Sequence, residues 1–332
     1  MAINHTLTDG IVGRNLEKAK GRRNQNDFDD HSELDALRKL DGLLAKEGLD
    51  AEDMTQVRAL ADEVRRADSV GLKLNWETRN PHVPHQVSDF CYYDGGRLVG
   101  YAPMDGDGDE LEVTAAVLPS ERRRGLFRLL LDAARREAQR REARRLLLVN
   151  YRASVSGTVA VQALGLRYVF SEYRMEADAD GLPPLDPGQV RLVQVDQSGV
   201  TELAHLRALS FGDDARSPEA LLVELDAPGA RYFLAELDGE RIGQIGVVDV
   251  GDGIYVRALG IVPEHRQRGY GRQLLAATMQ LMLTEGHRHF ALDVATDNAR
   301  ALTLYETCGF CETEAYDYYD VALTRPGGSD AA

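Results

Sequence analysis

The stretch Ile254-Tyr-Val-Arg-Ala-Leu-Gly-Ile-Val262, followed at once by Pro263-Glu-His-Arg266-Gln-Arg-Gly269-Tyr-Gly271-Arg272, decides how the chain is read. Its first part is apolar and β-branched, the composition of a buried strand. Beyond it, Leu274, Leu275, Met279 and Met282 recur at helical spacing up to Gly286. The order is therefore strand, basic glycine turn, helix. Such a turn aims successive backbone N–H groups at one point at the positive end of a helix, which holds a pyrophosphate without a metal. Gly269 and Gly271 lack the Cβ atoms that would keep a ligand off the backbone, and Arg266, Arg268 and Arg272 offer cations to phosphate oxygens. Taken alone, the same turn reads equally well as an ordinary connection before a solvated helix.

A second pattern follows in the right order: Asn298-x-x-Ala301-x-x-Leu304-Tyr305-x-x-x-Gly309-Phe310. Together with Arg266-x-x-Gly269-x-Gly271 it resembles the acetyl-CoA-binding signature of the GNAT superfamily of N-acyltransferases. The resemblance covers Val190 to Thr324 closely. A Rossmann fingerprint spaces its three glycines differently and needs an acidic ribose ligand that is not evident here.

The resemblance implies an α/β fold with a mixed, mostly antiparallel sheet flanked by helices. It further implies that the backbone of Leu259, Gly260, Ile261 and Val262 pairs with the pantetheine arm like an added strand. The turn Arg266, Gln267, Arg268, Gly269, Tyr270, Gly271 and Arg272 would bind the pyrophosphate. Asn298 would hydrogen-bond the pantetheine or help orient it, and Tyr305 would face the thioester sulfur. A strand N–H beside Ile261 or Val262 is the natural donor to the oxyanion. Tyr305, with an ordinary pKa of ~10 against ~8.5 for a thiol, would protonate the departing thiolate. Otherwise it is a core aromatic whose hydroxyl caps a helix.

Tyr255 occupies the position where GNAT histone acetyltransferases place a glutamate base, and a tyrosine there suits water positioning or substrate contact. Asp293, near the end of Phe290 to Val294, is the better acidic candidate for the amine's proton. Strand alternation puts Tyr255, Arg257 and Leu259 on one face. An Arg257 pointing into the cleft would favour a substrate with a carboxylate as well as an amine; an exposed strand arginine is the alternative.

The chain also repeats itself. Pro263 answers to Pro119, Arg266 to Arg122, Gly269 to Gly125, Leu274 to Leu130 and Gly309 to Gly165, each pair offset by 144 residues (263 minus 119; 309 minus 165). The halves read as tandem copies of one domain. The first copy keeps a possible coenzyme pocket in Val117, Arg122, Arg124 and Gly125, but Phe127 answers to Gly271, Ser154 to Asn298 and Val161 to Tyr305. Valine cannot donate a proton, so chemistry is expected in the second copy alone.

The domains expected are a polar lead-in at 1–30, a degenerate GNAT-like domain at 31–176, a linker at 177–189 rich in Pro and Asp, a catalytic domain at 190–325 and a tail at 326–332. Within the first, Ser32 and Asp35 open a helix carrying Leu34, Leu37, Leu40 and Leu44 up to Gly48. A second helix starts at Asp50 or Asp53, and Val87 to Tyr93 with Leu98 to Tyr101 form a hairpin.

With 332 residues, 43% apolar and 28% charged, the chain can bury two cores. The formal charge of −15 disfavours nucleic acid as a partner. Ten arginines against three acids between Arg122 and Arg145 leave a local +7, read first as a solvated helix face with pairs such as Asp132 and Arg136, and second as a surface for coenzyme phosphate or an acidic partner. Three cysteines give no disulfide framework, and no signal or membrane segment is read, so a cytoplasmic protein is expected. Cys308-Gly-Phe-Cys311 lacks the second pair a zinc site needs. His82 with His85 and His287 with His289 lack a third ligand, so no metal is expected.

The expected activity is transfer of an acetyl group from acetyl-CoA to a primary amine of a small molecule or peptide. A non-catalytic acyl-CoA-binding regulatory module is the alternative. Nothing here decides between monomer and homodimer.

Overall fold

The computed structural model describes residues 42–74, 86–106, 109–212, 217–251 and 253–323. Two compact units divide the chain, one of 1–74, 82–169 and 318–332, the other of 75–81 and 170–317. The division falls between Val169 and Phe170, ahead of the expected linker, whose first residues Ala177 and Asp178 still belong to a strand. The lead-in, His82, His85 and the tail lie outside the described residues.

In the first unit the strands are β1 (Gly42–Lys46), β2 (Asp89–Asp94), β3 (Arg97–Asp105), β4 (Glu110–Val113), β5 (Ala116–Val117) and β6 (Arg145–Tyr151), with helices α1 (Ala51–Asp68), α2 (Leu126–Arg140) and α3 (Val155–Leu164). β1, β2, β3 and β4 pair antiparallel in that order, and β4 pairs parallel with β6. Of the helix expected from Ser32 to Gly48, residues 32–41 lie outside the described residues, and its end is corrected, since Gly42–Lys46 is a strand in register with Asp89–Tyr93. Leu44 lies in this strand, whose partner is remote in sequence. α1 begins as expected, with Asp50 as N-cap and Asp53 completing a capping box.

The second unit holds the body of β7 (Arg167–Asp178), then β8 (Arg191–Gln194), β9 (Ala230–Leu237), β10 (Glu240–Asp249), β11 (Ile254–Ile261), β12 (His289–Ala295) and most of β13 (Cys311–Asp320). Its helices are α4 (Val200–Phe211), α5 (Pro218–Leu225), α6 (Tyr270–Thr284) and α7 (Ala299–Thr307). All its pairings are antiparallel among β8, β9, β10 and β11 and between β7 and β12; β11 and β12 run parallel.

Period-two alternation gives this sheet two cores. On β9, Phe233, Ala235 and Leu237 join Leu274, Leu275, Met279 and Met282 of α6, while Tyr232 and Leu234 join Leu203 and Leu206 of α4 and Leu221 of α5. Each such large side chain, withdrawn from water, contributes about 1.5–3 kcal/mol.

The repeat holds residue by residue. Pro119 and Pro263 each open a short 3-10 turn, and Leu130 and Leu274 are each fully buried. Arg123 (φ 64°) with Gly125 (φ 85°) matches Gln267 (φ 62°) with Gly269 (φ 83°), and Gly165 and Gly309 both have positive φ after their helices.

Candidate active site

β11 and β12 pair only at Ile254 with Phe290 and Tyr255 with Ala291, although β11 continues to Ile261 and β12 to Ala295. The two parallel strands therefore part beyond Tyr255, and the edge of β11 facing β12 is left without a strand neighbour. An extended ligand can pair there as a missing strand would.

A bulge shapes the same segment. Gln244 opposes Gly260 while Gly246 opposes Arg257, so β11 carries one residue more than β10, and Ala258 sits at φ 53°. The inserted residue inverts the alternation. Tyr255 and Arg257 remain on the α4 face, but Leu259 turns to the core under α6, which corrects the expectation that all three share a face.

At the turn, Arg266 is engaged by main-chain carbonyls. Its Nε donates to Ile261 O at 2.8 Å and its Nη2 to Ser210 O at 2.8 Å, so it braces the turn against the end of α4. Arg122 does the same in the first unit, with Nε on Val117 O at 3.2 Å and both terminal nitrogens on Asp68 at 2.9 and 2.7 Å. Arg124 pairs with Glu121 and Asp94. The groups left available to an anion at this turn include main-chain N–H groups. The first hydrogen bond of α6 runs from Gln273 N to Gly269 O (3.1 Å) and no side chain caps the helix, so the N–H groups of Tyr270, Gly271 and Arg272 have no intrahelical acceptor. Arg268 lies exposed beside them. Gly269 is required by its left-handed φ, whereas a Cβ on Gly271 would meet Leu304 of α7 at 3.0 Å. Gly271 thus packs closely against α7, and Phe127 stands at the matching position of the other copy.

Asn298 is the N-cap of α7, its side-chain oxygen accepting from Ala301 N at 3.2 Å; Ser154 caps α3 in the same way, accepting from Gly157 N at 3.0 Å. Tyr305 packs on the α6 core, its ring edge-on to Phe310 at 6.0 Å, and no hydrogen bond of its hydroxyl occurs among the described residues. Burial pushes its pKa up to about 12. Val161, its counterpart, is a buried apolar residue.

Asp293 does not stand alone. It accepts from Arg174 Nε at 2.6 Å and Nη2 at 3.3 Å, and from the Tyr255 hydroxyl at 3.0 Å, while the Arg174 guanidinium lies 5.2 Å from the Tyr255 ring centroid. Burial opposes the Arg174 charge, but Asp293 outweighs it and holds the guanidinium protonated.

Glu176 was not singled out by the sequence. It opposes Ala291, which itself opposes Tyr255; although the residue is exposed, partial desolvation raises its pKa, with Glu314, Asp178 and Asp293 adding to the effect against Arg174. A lone glutamate in a strand carries no local signal of this kind.

The first unit opens in the same place. β4 pairs with β6 only through Val113 and Leu148, after which β5 pairs with β3 and β6 continues to Tyr151. A cavity of about 860 Å³ fills the gap, lined among others by Ala116, Val117, Gly125, Leu148 and Asn150. The arginine-rich face is largely paired, Asp132 with Arg135 rather than Arg136, and Glu137 with Arg140 and Arg141. Cys308 is buried and Cys311 exposed, both free; His287 and His289 sit beside Asp249 and Asp178. Among the described residues no group of three His, Cys, Asp or Glu could hold a metal, and no helix is long and apolar enough to cross a membrane.

Two split parallel strand pairs, each followed by a glycine turn whose helix has no side-chain cap, define a tandem α/β fold with the same open strand edge in each copy. The model of the acetyltransferase (GNAT) family matches residues 52–156 and 200–310, more than half of the chain, and the chain belongs to that family. It is 30% identical over 289 residues to a mycothiol acetyltransferase of Streptomyces coelicolor, covering 80% of this chain and 91% of that one. Two solved structures share the fold. A GCN5-related N-acetyltransferase from Sphaerobacter thermophilus has a TM-score of 0.66 at 19% identity, covering 82% of this chain and 93% of that one. A tandem GNAT protein from the clavulanic acid biosynthesis pathway has a TM-score of 0.61 at 20% identity, covering 85% and 98%. The chain is thus a GNAT-type acetyltransferase, and the donor its family uses is acetyl-CoA.

Proposed function

We propose that the second unit transfers the acetyl group to the amine of a small molecule or peptide, and that the first unit binds coenzyme without catalysing transfer. The observation that carries this reading is the parting of β11 from β12 in the unit that also has Tyr305, against the matching gap in the unit that has Val161.

In the second unit the thioester lies along Leu259 to Val262 with its pyrophosphate on the turn from Arg266 to Arg272, held by main-chain N–H groups with Arg268 and Arg272 adding charge. A β11 N–H near Ile261 or Val262 stabilises the oxyanion as the amine attacks. Tyr305 donates to the departing sulfur, and its raised pKa keeps that proton in place throughout the assay range. Asn298 serves as a helix cap that fixes α7, and hence Tyr305. On the acceptor side, Tyr255 and Asp293 orient the amine. Its proton passes to Asp293 through Tyr255, or to Glu176, whose raised pKa makes it the better acceptor of the two. The free cysteines accord with a reducing, cytoplasmic setting.

The test measures coenzyme release from acetyl-CoA against a panel of amines, together with calorimetric stoichiometry, in full-length variants. Gly269→Val, at φ 83°, should abolish turnover; Gly125→Val, at φ 85°, should remove one coenzyme equivalent and leave turnover intact. Turnover that depends on Gly125 and ignores Gly269 would reverse the assignment of roles.

A further inference from the structure

The acceptor side of the second unit holds a buried cluster that acetyl transfer itself does not use. Arg257 of β11 and Arg207 of α4 both stack on the Tyr232 ring, with guanidinium carbons 5.1 and 5.9 Å from its centroid. Both reach the same oxygen, Glu224 Oε2, at 3.5 Å, and that oxygen also takes the Tyr232 hydroxyl. At that distance and angle neither arginine makes a hydrogen bond to it: Nε and Nη2 of Arg257 and Nε and Nη1 of Arg207 are buried with no partner. Among the described residues Glu224 is the single carboxylate within ion-pair reach of either guanidinium. Two cations thus share one anion, and donors that should be paired when buried are not.

Resting on the acetyl-transfer reading above, we infer that the acceptor is an amine that also carries a carboxylate, and that Arg257 and Arg207 together bind that carboxylate. A planar carboxylate takes two N–H groups of a guanidinium fork at once, and would bring the missing charge and the missing acceptors together. The location fits. Arg257 follows Tyr255 by two residues on the same face of β11, a separation of about 7 Å in an extended strand. An amine beside Tyr255 and a carboxylate on Arg257 therefore belong to one short molecule, such as an amino acid or the end of a peptide.

Gly246 keeps Arg257 in this position, since a Cβ there would fall 2.5 Å from the Tyr232 ring and 3.1 Å from Arg257 Cγ. The Arg257 side chain is 19% exposed and that of Arg207 11% exposed. The acids on the same face, Asp293 and Glu176, lie toward β12 and β7, where the amine would be. Arg174 offsets Asp293 there, so the face is cationic at Arg257 and has Glu176 as its remaining acid beyond Tyr255, which matches an amino acid better than a polyamine.

The experiment compares matched acceptors with the full-length protein and acetyl-CoA: β-alanine against β-alaninamide, 4-aminobutyrate against its amide, L-leucine against L-leucinamide, and spermidine as a polycation. The readout is the ratio of kcat/KM for acid over amide. At least one pair should favour the acid tenfold or more, and Arg257→Gln and Arg207→Gln should each bring that ratio within threefold of one, whatever happens to the absolute rates. Arg257→Lys, which keeps the charge and loses the fork, should fall between. Ratios near one for every pair, preference for spermidine, or a ratio that survives both glutamine variants would each overturn the inference. Absence of turnover with every amine would count against acetyl transfer instead. In that event calorimetry with glutarate still decides: binding by the wild type that both glutamine variants lose supports the carboxylate site, and no binding overturns it.

Discussion

Replacing Tyr305 by Phe removes one hydroxyl from a ring that otherwise keeps its place against Phe310 and the α6 core. The phenol's pKa of about 12 sets the size of the effect. At pH 8 only about one hydroxyl in 10⁴ is ionised, so the acid form is always present. Yet it is a weak acid: full transfer to a thiolate of pKa ~8.5 would be uphill by roughly 5 kcal/mol. Its help is therefore a hydrogen bond to the sulfur as charge develops, completed only as the bond breaks. That places the effect near the lower end of general acid catalysis, about 10²-fold or ~2.7 kcal/mol on the barrier. Coenzyme affinity should change less than about tenfold, because the ring's packing is kept. The assay is single-turnover acetyl transfer with a chemistry-limited amine, which separates the step from product release. A Phe variant within threefold of wild type in that assay would refute the role. The same reasoning predicts no alkaline loss of wild-type activity below about pH 11, and that Val161→Ala, at the corresponding position of the first unit, alters stability alone.

The proton acceptor can be identified from pH profiles. kcat/KM should rise from pH 6 to pH 8 as the amine deprotonates, and the two carboxylate variants should differ. Glu176→Gln is expected to flatten the rise with little change in stability, whereas Asp293→Asn leaves the buried Arg174 charge without its partner and should cost about 3–5 kcal/mol in denaturant titrations. A flattened profile in Asp293→Asn with an unchanged one in Glu176→Gln would assign the proton to Asp293. Arg122→Ala tests the bracing role of the turn arginines. Hydrogen bonds from Arg122 hold the Asp68 carboxyl below its ordinary value. A lowered carboxyl pKa contributes stability that is present above about pH 4 and is lost as pH falls through the lowered value. The variant should thus be less stable by ~1 kcal/mol at pH 7, with the difference shrinking toward pH 2. A difference independent of pH would show that Arg122 acts through packing alone.

Much of this protein is legible in its residues because the decisive features are local. A left-handed position at Gly269 or Gly125 needs glycine, a helix cap needs Asn298 or Ser154, and a core helix needs Leu274, Met279 and Met282 at helical spacing. Each constraint binds residues within a turn or two of one another, so the offset of 144 residues between copies (263 minus 119) and the loss of Tyr305 from the first could be read without coordinates. Where the chain meets remote partners, local reading failed. Gly42–Lys46 is a strand because Asp89–Tyr93 lies beside it, and Arg266 is a brace because the carbonyl oxygens of Ile261 and Ser210 converge on it.

The proposed acceptor face was decided by tertiary structure altogether. One inserted residue at Ala258 turned Leu259 away from Arg257, a change invisible to alternation because a bulge is defined by its partner strand. The pairing of Asp293 with Arg174, the desolvation of Glu176 and the meeting of Arg207 with Arg257 join residues from different strands and helices. Charge and burial at such sites depend on distances in space, which fall off steeply and bear no relation to separation along the chain. The sequence by itself thus determined the fold, the duplication and the glycine turn; the groups proposed to meet the acceptor come together only once the sheet has formed.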